Sequence, residues 1–264
     1  KDIRTTTVKI ETENGAKAMG RPQGVYITLE APNMSVPDED YHREISKELA
    51  KHIRKLVPME KELTALVVGL GNREVTPDAL GPDVVSNLRI TRHVIQEYGV
   101  QSMGREYANS ISGLVPGVMA QTGMETLEII KGVVDETKPD VVLAVDALAA
   151  RSTKRLNRTI QITDTGINPG SGVGNHRNGL SEETLGVKVI GIGVPTVVDA
   201  ATIVQDSMAH LLDTLEESEK KEFLEEMIAP SLHSMFVTPK DVDETVKRLS
   251  YTISEGLNMA FEQA

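Results

Sequence analysis

The stretch Val67–Pro82, VVGLGNREVTPDALGP, leads from an apolar run through a Gly-Leu-Gly turn into an acidic, proline-containing segment. The run that contains its start, LTALVVGL at 63–70, is typical of a buried strand. Pro77 suits the first turn of a helix. A strand, a glycine turn and a helix in this order indicate an α/β protein, and they place Asp78 just beyond the carboxyl end of a strand.

Apolar runs alternate with segments of helical periodicity along the rest of the chain. Strands are predicted at 5–11, 24–30, 63–70, 107–113, 140–148, 158–164 and 187–195. Helices are predicted at 38–56, 77–98, 123–137, 198–215 and 239–261, with a charged helical face at 216–227. This order predicts a three-layer α/β sandwich around a central mixed, largely parallel sheet. We expect one domain over 1–264, with an N-terminal strand pair that extends the sheet and a C-terminal helical extension.

The Gly-Leu-Gly turn matches only the beginning of a dinucleotide-binding fingerprint, which requires G-x-G-x-x-G. Gly69 and Gly71 fit that spacing, but Glu74 stands where the third glycine belongs, and the next glycine is Gly81. A carboxylate at this point of the turn would also repel phosphate. We therefore expect the turn to serve a purpose other than binding a nucleotide cofactor.

The composition excludes several other classes of function. The formal net charge of -11 argues against non-specific binding to nucleic acid or to anionic membranes. There is no cysteine, which excludes disulfides and thiolate sites and fits a reducing cytosol. No apolar run reaches the roughly 18 to 20 residues that span a bilayer, and no secretory signal is apparent. The histidines lack H-x-x-x-H spacing, and no serine lies in a G-x-S-x-G elbow.

Two aspartates occupy equivalent positions, because Asp78 follows the first strongly apolar strand and Asp146 ends the second, in LAVDALAAR. The functional crevice of an open α/β sheet lies outside the carboxyl ends of its strands, so these side chains are expected to meet. Two facing carboxyl groups cannot both ionise cheaply, and one then keeps its proton. The charged group can take a proton from water while the other donates to a carbonyl, which suits amide hydrolysis without a covalent intermediate.

Other interpretations of these residues stay open at this point. An aspartate after a strand commonly caps a helix or forms a turn. Asp78 and Asp146 could also bind a metal together with a distant histidine. The glycine-rich segment 164–181, DTGINPGSGVGNHRNGLS, could contact an extended ligand through His176 and Arg177, could move as a lid, or could be an ordinary surface loop.

Four long motifs occur in this order: GLGNREVTPDALGP, VDALAARS, QITDTGINPGSGVGNHR and IGVPTVVDA. Together with the N-terminal stretch VKIETENGAKAMGRPQGVYITLE, they resemble the germination proteases of spore-forming bacteria. The resemblance runs from near residue 8 to about residue 210 and continues more loosely to the C-terminus. It implies a fold similar to that of the hydrogenase maturation endopeptidases.

The resemblance implies an atypical aspartic endopeptidase, with Asp78 and Asp146 as the catalytic pair and with neither a cofactor nor a metal. Its substrates would be small acid-soluble spore proteins, degraded in the spore core, a cytoplasmic location, early in germination. It further implies an autoprocessed zymogen and a homotetramer, without nucleic acid or membrane partners. Glu74 would be a solvated turn residue or would help to select a substrate side chain.

Two alternatives use the same scaffold. One is a metal-dependent peptidase of the hydrogenase-maturation type. The other is a protein that binds peptides without cleaving them, since a fold alone does not determine function.

Overall fold

The computed structural model describes residues 2–57, 62–104, 106–170, 178–212 and 229–262, without the side chains of 209–212, 230 and 233. The strands are β1 Arg4–Ile10, β2 Gly24–Glu30, β3 Thr64–Gly69, β4 Ser110–Leu114, β5 Val141–Ala150, β6 Thr159–Thr163, β7 Lys188–Asp199 and β8 Phe236–Val237. The α-helices are α1 Glu13–Met19, α2 Glu39–Leu56, α3 Leu80–Ser86, α4 Arg92–Tyr98, α5 Met119–Thr122, α6 Thr126–Thr137, α7 Glu182–Leu185, α8 Ala200–Leu212 and α9 Val242–Phe261. Short 3₁₀ turns lie at Thr76–Asp78, Val100–Met103, Thr153–Arg155 and Pro230–Ser234.

The described strands form one eight-stranded mixed sheet in the order β1-β2-β6-β7-β5-β3-β4, and β8 also pairs with β7. The run β7-β5-β3-β4 is parallel. The remaining pairs are antiparallel. The predicted α/β class with a mixed central sheet is confirmed, and the N-terminal strand pair extends the sheet through the antiparallel pairing of β2 with β6.

Helices α2, α3 and α9 cover one face of the sheet, which we call the core face. Asp38 begins α2 as its N-cap, because its side chain accepts a hydrogen bond from the backbone N–H of Tyr41. Apolar side chains at helical spacing on α2, including Ile45, Leu49 and Ile53, are fully buried against this face. The predicted helix after Asp38 is therefore confirmed.

Helices α6 and α7 pack on the opposite face of the sheet, but only over the parallel strands. Ile130 and Val134 of α6 are buried against side chains of β3 and β5. Over β6 and β2 the same face presents the half-buried side chains of Gln161, Thr163 and Tyr26, and we call this part of the sheet the open face. The described residues thus form three layers at the parallel half of the sheet, and they leave part of the sheet surface accessible at its antiparallel half.

The single helix predicted from Pro77 to Tyr98 is wrong. The segment forms a 3₁₀ turn, then α3, then α4, and residues 87–91 connect the two helices. Asn258 of α9 explains the break, because its side-chain oxygen accepts from Arg89 N at 3.0 Å and its amide donates to Asn87 O at 3.4 Å. Tertiary hydrogen bonds satisfy backbone groups that a continuous helix would have paired internally.

Several other boundaries differ from the sequence predictions. Helix α1 forms within the link that was expected to be irregular between β1 and β2, since Thr12 caps its start and Gly20 ends it in the left-handed region at φ 60°. Strand β7 continues four residues past Pro195, to Asp199. The charged helical face predicted at 216–227 lies outside the described residues. Among those that are described, no helix combines the length and hydrophobicity needed to cross a membrane.

His42 of α2 is buried in this packing, which predicts a pH dependence of stability. Its Nε2 lies 3.0 Å from the carbonyl oxygen of Val36 and its Nδ1 lies 2.7 Å from Oγ1 of Thr252. Burial lowers the pKa of His42 below the ordinary value, against the opposing effect of the Val36 carbonyl. Burial likewise lowers the pKa of His52.

These two histidines therefore become protonated at a higher pH in the unfolded chain than in the folded protein. The free energy of unfolding should decrease as the pH falls below about 6.5. Urea unfolding between about pH 7.5 and pH 5 measures this dependence. Substitution His42→Gln should make it shallower. An unchanged slope in that variant would contradict the contribution assigned to His42.

Candidate active site

Asp146 lies on β5, on the same side of the strand as Val142 and Ala144, which pack beneath helices α6 and α7. The covering helices stop short of this point of the strand. Its residue is only 5% exposed, and its Cα partner on β7 is Gly193. The prediction that Asp146 ends its strand is wrong, because β5 continues to Ala150; Asp146 instead lies one residue beyond the last β5 residue that pairs with β3. A carboxyl group so deeply buried costs desolvation energy and calls for a specific environment.

Asp78 is the last residue of the 3₁₀ turn that follows β3, and it is half-buried. The backbone N–H of Asn72 donates to its Oδ2 at 2.6 Å, which fixes the orientation of the carboxylate. Asn72 in turn accepts from the backbone N–H of Glu74 at 3.0 Å, an Asx turn. Glu74 itself is exposed, as expected for a solvated turn residue.

The glycines around this turn allow backbone segments to approach one another closely. A Cβ added to Gly81 would lie 2.4 Å from the carbonyl oxygen of Leu70 and 2.5 Å from that of Val145. A Cβ added to Gly71, at φ 109°, would lie 2.1 Å from the carbonyl oxygen of Asp78. The Gly-Leu-Gly turn and Gly81 therefore hold the Asp78 segment directly against the ends of β3 and β5.

Asp78 and Asp146 line the same cleft, which has a volume of about 420 Å³. We call it the aspartate cleft. Its rim carries exposed apolar side chains, Val75 at 47% and Phe236 at 40% exposure, on two different elements. The structure thus brings both of the site residues predicted from the sequence to one accessible cavity at the carboxyl ends of β3 and β5.

Thr196 connects this cleft to β7 and was not predicted from the sequence. It is 1% exposed, and its hydroxyl donates to the carbonyl oxygen of Pro77 at 2.6 Å, one residue before Asp78. Its own carbonyl accepts from the hydroxyl of Thr238 at 2.9 Å. The motif IGVPTVVDA contains Thr196 but gives no sign of this contact, and β8 with Phe236 is too short to be recognised by periodicity.

Substitution Thr196→Val should displace the Asp78 turn. The free energy of unfolding should fall by about 1–2 kcal/mol, because the buried carbonyl of Pro77 loses its donor. If Asp78 takes part in hydrolysis, as the sequence predicts, kcat/KM should also fall about tenfold because the carboxyl group is misplaced. Thr196→Ser keeps the hydroxyl and should retain activity to within about twofold. Equal loss in both variants would contradict this role of the hydroxyl.

The other sequence candidates contribute differently. Asp164, at the start of the glycine-rich segment, uses Oδ1 to accept from the backbone N–H of Val25 at 2.7 Å, so it joins that segment to β2. His176 and Arg177 lie outside the described residues. Within the part of the chain that is described, no three His, Cys, Asp or Glu side chains are grouped so that they could hold a metal ion.

Comparison with known proteins identifies relatives over nearly the whole chain. The model of the family "Germination protease" matches residues 1–215 and 208–264. A germination protease of Caldanaerobacter subterraneus is 48% identical, over 98% of this chain and 85% of that protein. Those of Clostridium tetani and Bacillus subtilis are 46% and 39% identical, each over 99% of this chain and over 86% and 84% of their own lengths.

A solved NiFe hydrogenase maturation protease from Thermococcus kodakarensis also matches, with a TM-score of 0.36 and 16% identity, over 78% of this chain and 98% of that one. The similarity to hydrogenase maturation enzymes stays a prediction. The matches in sequence extend over nearly the whole chain. The chain belongs to the germination protease family and is a peptidase by that membership.

Proposed function

We propose that the protein is an aspartic-type endopeptidase that begins the degradation of small acid-soluble spore proteins during germination, in the cytoplasm of the spore core. The observation that carries the proposal is the presence of Asp78 and Asp146 in one cleft, although one follows β3 and the other lies within β5. The membership of the chain in the germination protease family supports the biological setting.

In the proposed mechanism a water molecule lies between the two carboxyl groups. The ionised group removes a proton from the water, whose oxygen attacks the carbonyl carbon of the scissile bond. The protonated group donates its proton to the carbonyl oxygen, which gives a neutral tetrahedral intermediate. Collapse of this intermediate breaks the C–N bond. The carboxyl group that took the proton from water gives it to the leaving nitrogen, and the other, now ionised, takes a proton from a hydroxyl of the intermediate as the new carboxylic acid forms. The burial of Asp146 and the hydrogen bond from Asn72 to Asp78 favour fixed, distinct roles for the two groups.

The exposed apolar rim of the aspartate cleft supports a polypeptide as the substrate. Val75 and Phe236 offer contact area to a side chain that flanks the scissile bond. We also propose, from the family resemblance, that the chain is processed from a zymogen and assembles as a homotetramer. Light scattering on the purified protein tests the assembly, with a tetramer as the expected species.

Digestion of a purified small acid-soluble spore protein tests the function. We expect a few discrete cuts inside the substrate chain, identified by mass spectrometry of the products. Stable association without cleavage after prolonged incubation would instead support the peptide-binding alternative. The same assay with an unrelated unfolded protein measures whether cleavage is selective.

Removal of divalent metal ions should leave this cleavage unchanged to within about twofold, because the proposed chemistry uses carboxyl groups and water alone. The measurement is kcat/KM after exhaustive chelation followed by gel filtration. A loss of activity that one divalent ion restores would contradict the metal-free mechanism and favour the metal-dependent alternative.

A further inference from the structure

A second cavity adjoins the aspartate cleft. It has a volume of about 710 Å³, and Leu148 and Asn168 line both cavities, so that the two are continuous. We call the second cavity the cross-strand groove. Its floor is the open face of the sheet at Gln161 and Thr163 of β6. Over β7, the backbone of Gly166 covers Gly191 and the Leu148 side chain covers Gly193.

The position of the groove follows from which parts of the sheet the helices cover. Helices α6 and α7 cover this face over the parallel strands, and the groove begins where they end. No side chain rises from Gly193, where an added Cβ would lie 2.4 Å from Leu148. The Leu148 side chain therefore lies directly on β7 and forms the floor at the junction of the two cavities.

The dimensions of the groove suit an extended polypeptide. Asp146 lies on β5, and Tyr26, at the far side, lies on β2, three strands away in the order β5-β7-β6-β2. Neighbouring strands are about 4.8 Å apart, so the groove extends about 14 Å from Asp146. An extended chain rises about 3.3 Å per residue, so about four substrate residues fit along it.

The lining of the groove suits recognition of a peptide backbone better than recognition of net charge. Gln161 and Thr163 on the floor offer both donors and acceptors. The walls carry both signs of charge, with Arg21 and Arg151 opposed by acidic side chains that include Glu182. Arg21 is held near the far end by its stacking on the ring of Tyr26, 5.2 Å from the centroid.

We propose that the cross-strand groove is the binding site for about four substrate residues on one side of the scissile bond, with the substrate chain passing over Leu148 at β7 and then across β6 and β2 on the open face. This inference depends on the proposed endopeptidase activity and adds to it the location and length of the substrate site. It predicts that efficient cleavage requires substrate residues distant from the bond that is cut.

A peptide series tests the groove. The longest peptide carries about six residues on either side of a bond cut in a spore protein, and the shorter ones are trimmed from one end to about two. For the wild-type protein, kcat/KM should fall about tenfold when one end of the peptide is trimmed, because the residues that would bind in the groove are lost. It should change little when the other end is trimmed.

The variant Gln161→Trp places a bulky ring on the groove floor. It should remove the advantage of the long peptide, so that the ratio of kcat/KM for the long and the short peptide falls to about one. Gln161→Asn keeps both the side-chain amide and an open groove, and it should retain the advantage. Thr7→Trp serves as the control for an added tryptophan on a strand. Thr7 is an exposed residue of β1 and pairs with the core-facing Ile27, so it lies on the side of the sheet opposite the groove.

Two results would overturn the groove proposal while leaving the endopeptidase activity intact. One is equal cleavage of long and short peptides whichever end is trimmed. The other is an equal loss on both peptides in Gln161→Trp. Failure of the wild-type protein to cleave either the peptides or the whole spore protein would refute the proposed function itself, and this inference with it.

Discussion

Asp78→Asn and Asp146→Asn should each lower kcat/KM for a small acid-soluble spore protein by at least about a thousandfold, a loss of about 4 kcal/mol of transition-state stabilisation. An amide cannot take a proton from water and cannot supply one to the carbonyl oxygen at neutral pH. Each substitution therefore removes one of the two proton transfers on which the mechanism depends.

The comparison requires variants that keep the fold. Asparagine is nearly isosteric with aspartate, and in Asp78→Asn the side-chain oxygen would still accept from the backbone N–H of Asn72. Asp83→Asn is the matched control, since Asp83 lies in the first turn of α3, close to Asp78 in the chain but outside the residues that line the aspartate cleft. It should retain activity to within about twofold. Activity of either site variant within tenfold of wild type would contradict the joint role of the pair.

Gly81→Ala should reduce the free energy of unfolding by about 3 kcal/mol, the largest stability effect that we expect from a single methyl group. The new Cβ would meet the backbone of Leu70 and the carbonyl oxygen of Val145 at 2.4–2.6 Å, and strand backbone cannot yield as a flexible side chain can. Helix α3 would have to move away from β3 and β5. Because Asp78 immediately precedes α3, we also expect lower activity at temperatures where the variant is still folded.

Gly132→Ala is the control for the same chemical change. Gly132 lies within α6, and a Cβ there would have no neighbour within 4 Å. This variant should be more stable than wild type by about 0.5–1 kcal/mol, since alanine is the better helix former. Chemical denaturation of the three proteins measures both effects. If the free energy of unfolding of Gly81→Ala fell by no more than a few tenths of a kcal/mol, α3 would pack less tightly than the contacts indicate.

The central strands and the meeting of the two aspartates were predictable from the sequence for one physical reason. Continuous apolar runs form buried strands, and the carboxyl ends of parallel strands lie at one edge of a sheet. Asp78 and Asp146 each follow such a run, so the rule predicts their common location from the sequence alone. Whether the pair catalyses peptide hydrolysis stays a prediction.

The features that the sequence did not predict depend on contacts between distant parts of the chain. The break between α3 and α4 comes from Asn258, whose side chain reaches backbone groups far away in the sequence. The link from Thr196 to Pro77 joins two strand ends that only the fold brings together. Periodicity reports which face of an element is apolar, and it carries no information about such single hydrogen bonds.

The roles of the glycines illustrate the same limit. The spacing of Gly69 and Gly71 suggested a comparison with nucleotide-binding turns, and Glu74 argued against that function. Only the structure shows that Gly71 and Gly81 admit backbone atoms of the Asp78 segment and of β3 and β5. The cross-strand groove could not be predicted from the sequence either, since it depends on where α6 and α7 end above the sheet.

The most direct test of the central claim is kcat/KM of the double variant Asp78→Asn, Asp146→Asn beside the two single variants. If the two carboxyl groups activate one water molecule as a unit, each single variant should be almost inactive, and the double variant should be slower than the slower of the two by no more than about threefold. Losses that multiply in the double variant, or a single variant that cleaves the spore protein at nearly the wild-type rate, would contradict the claim.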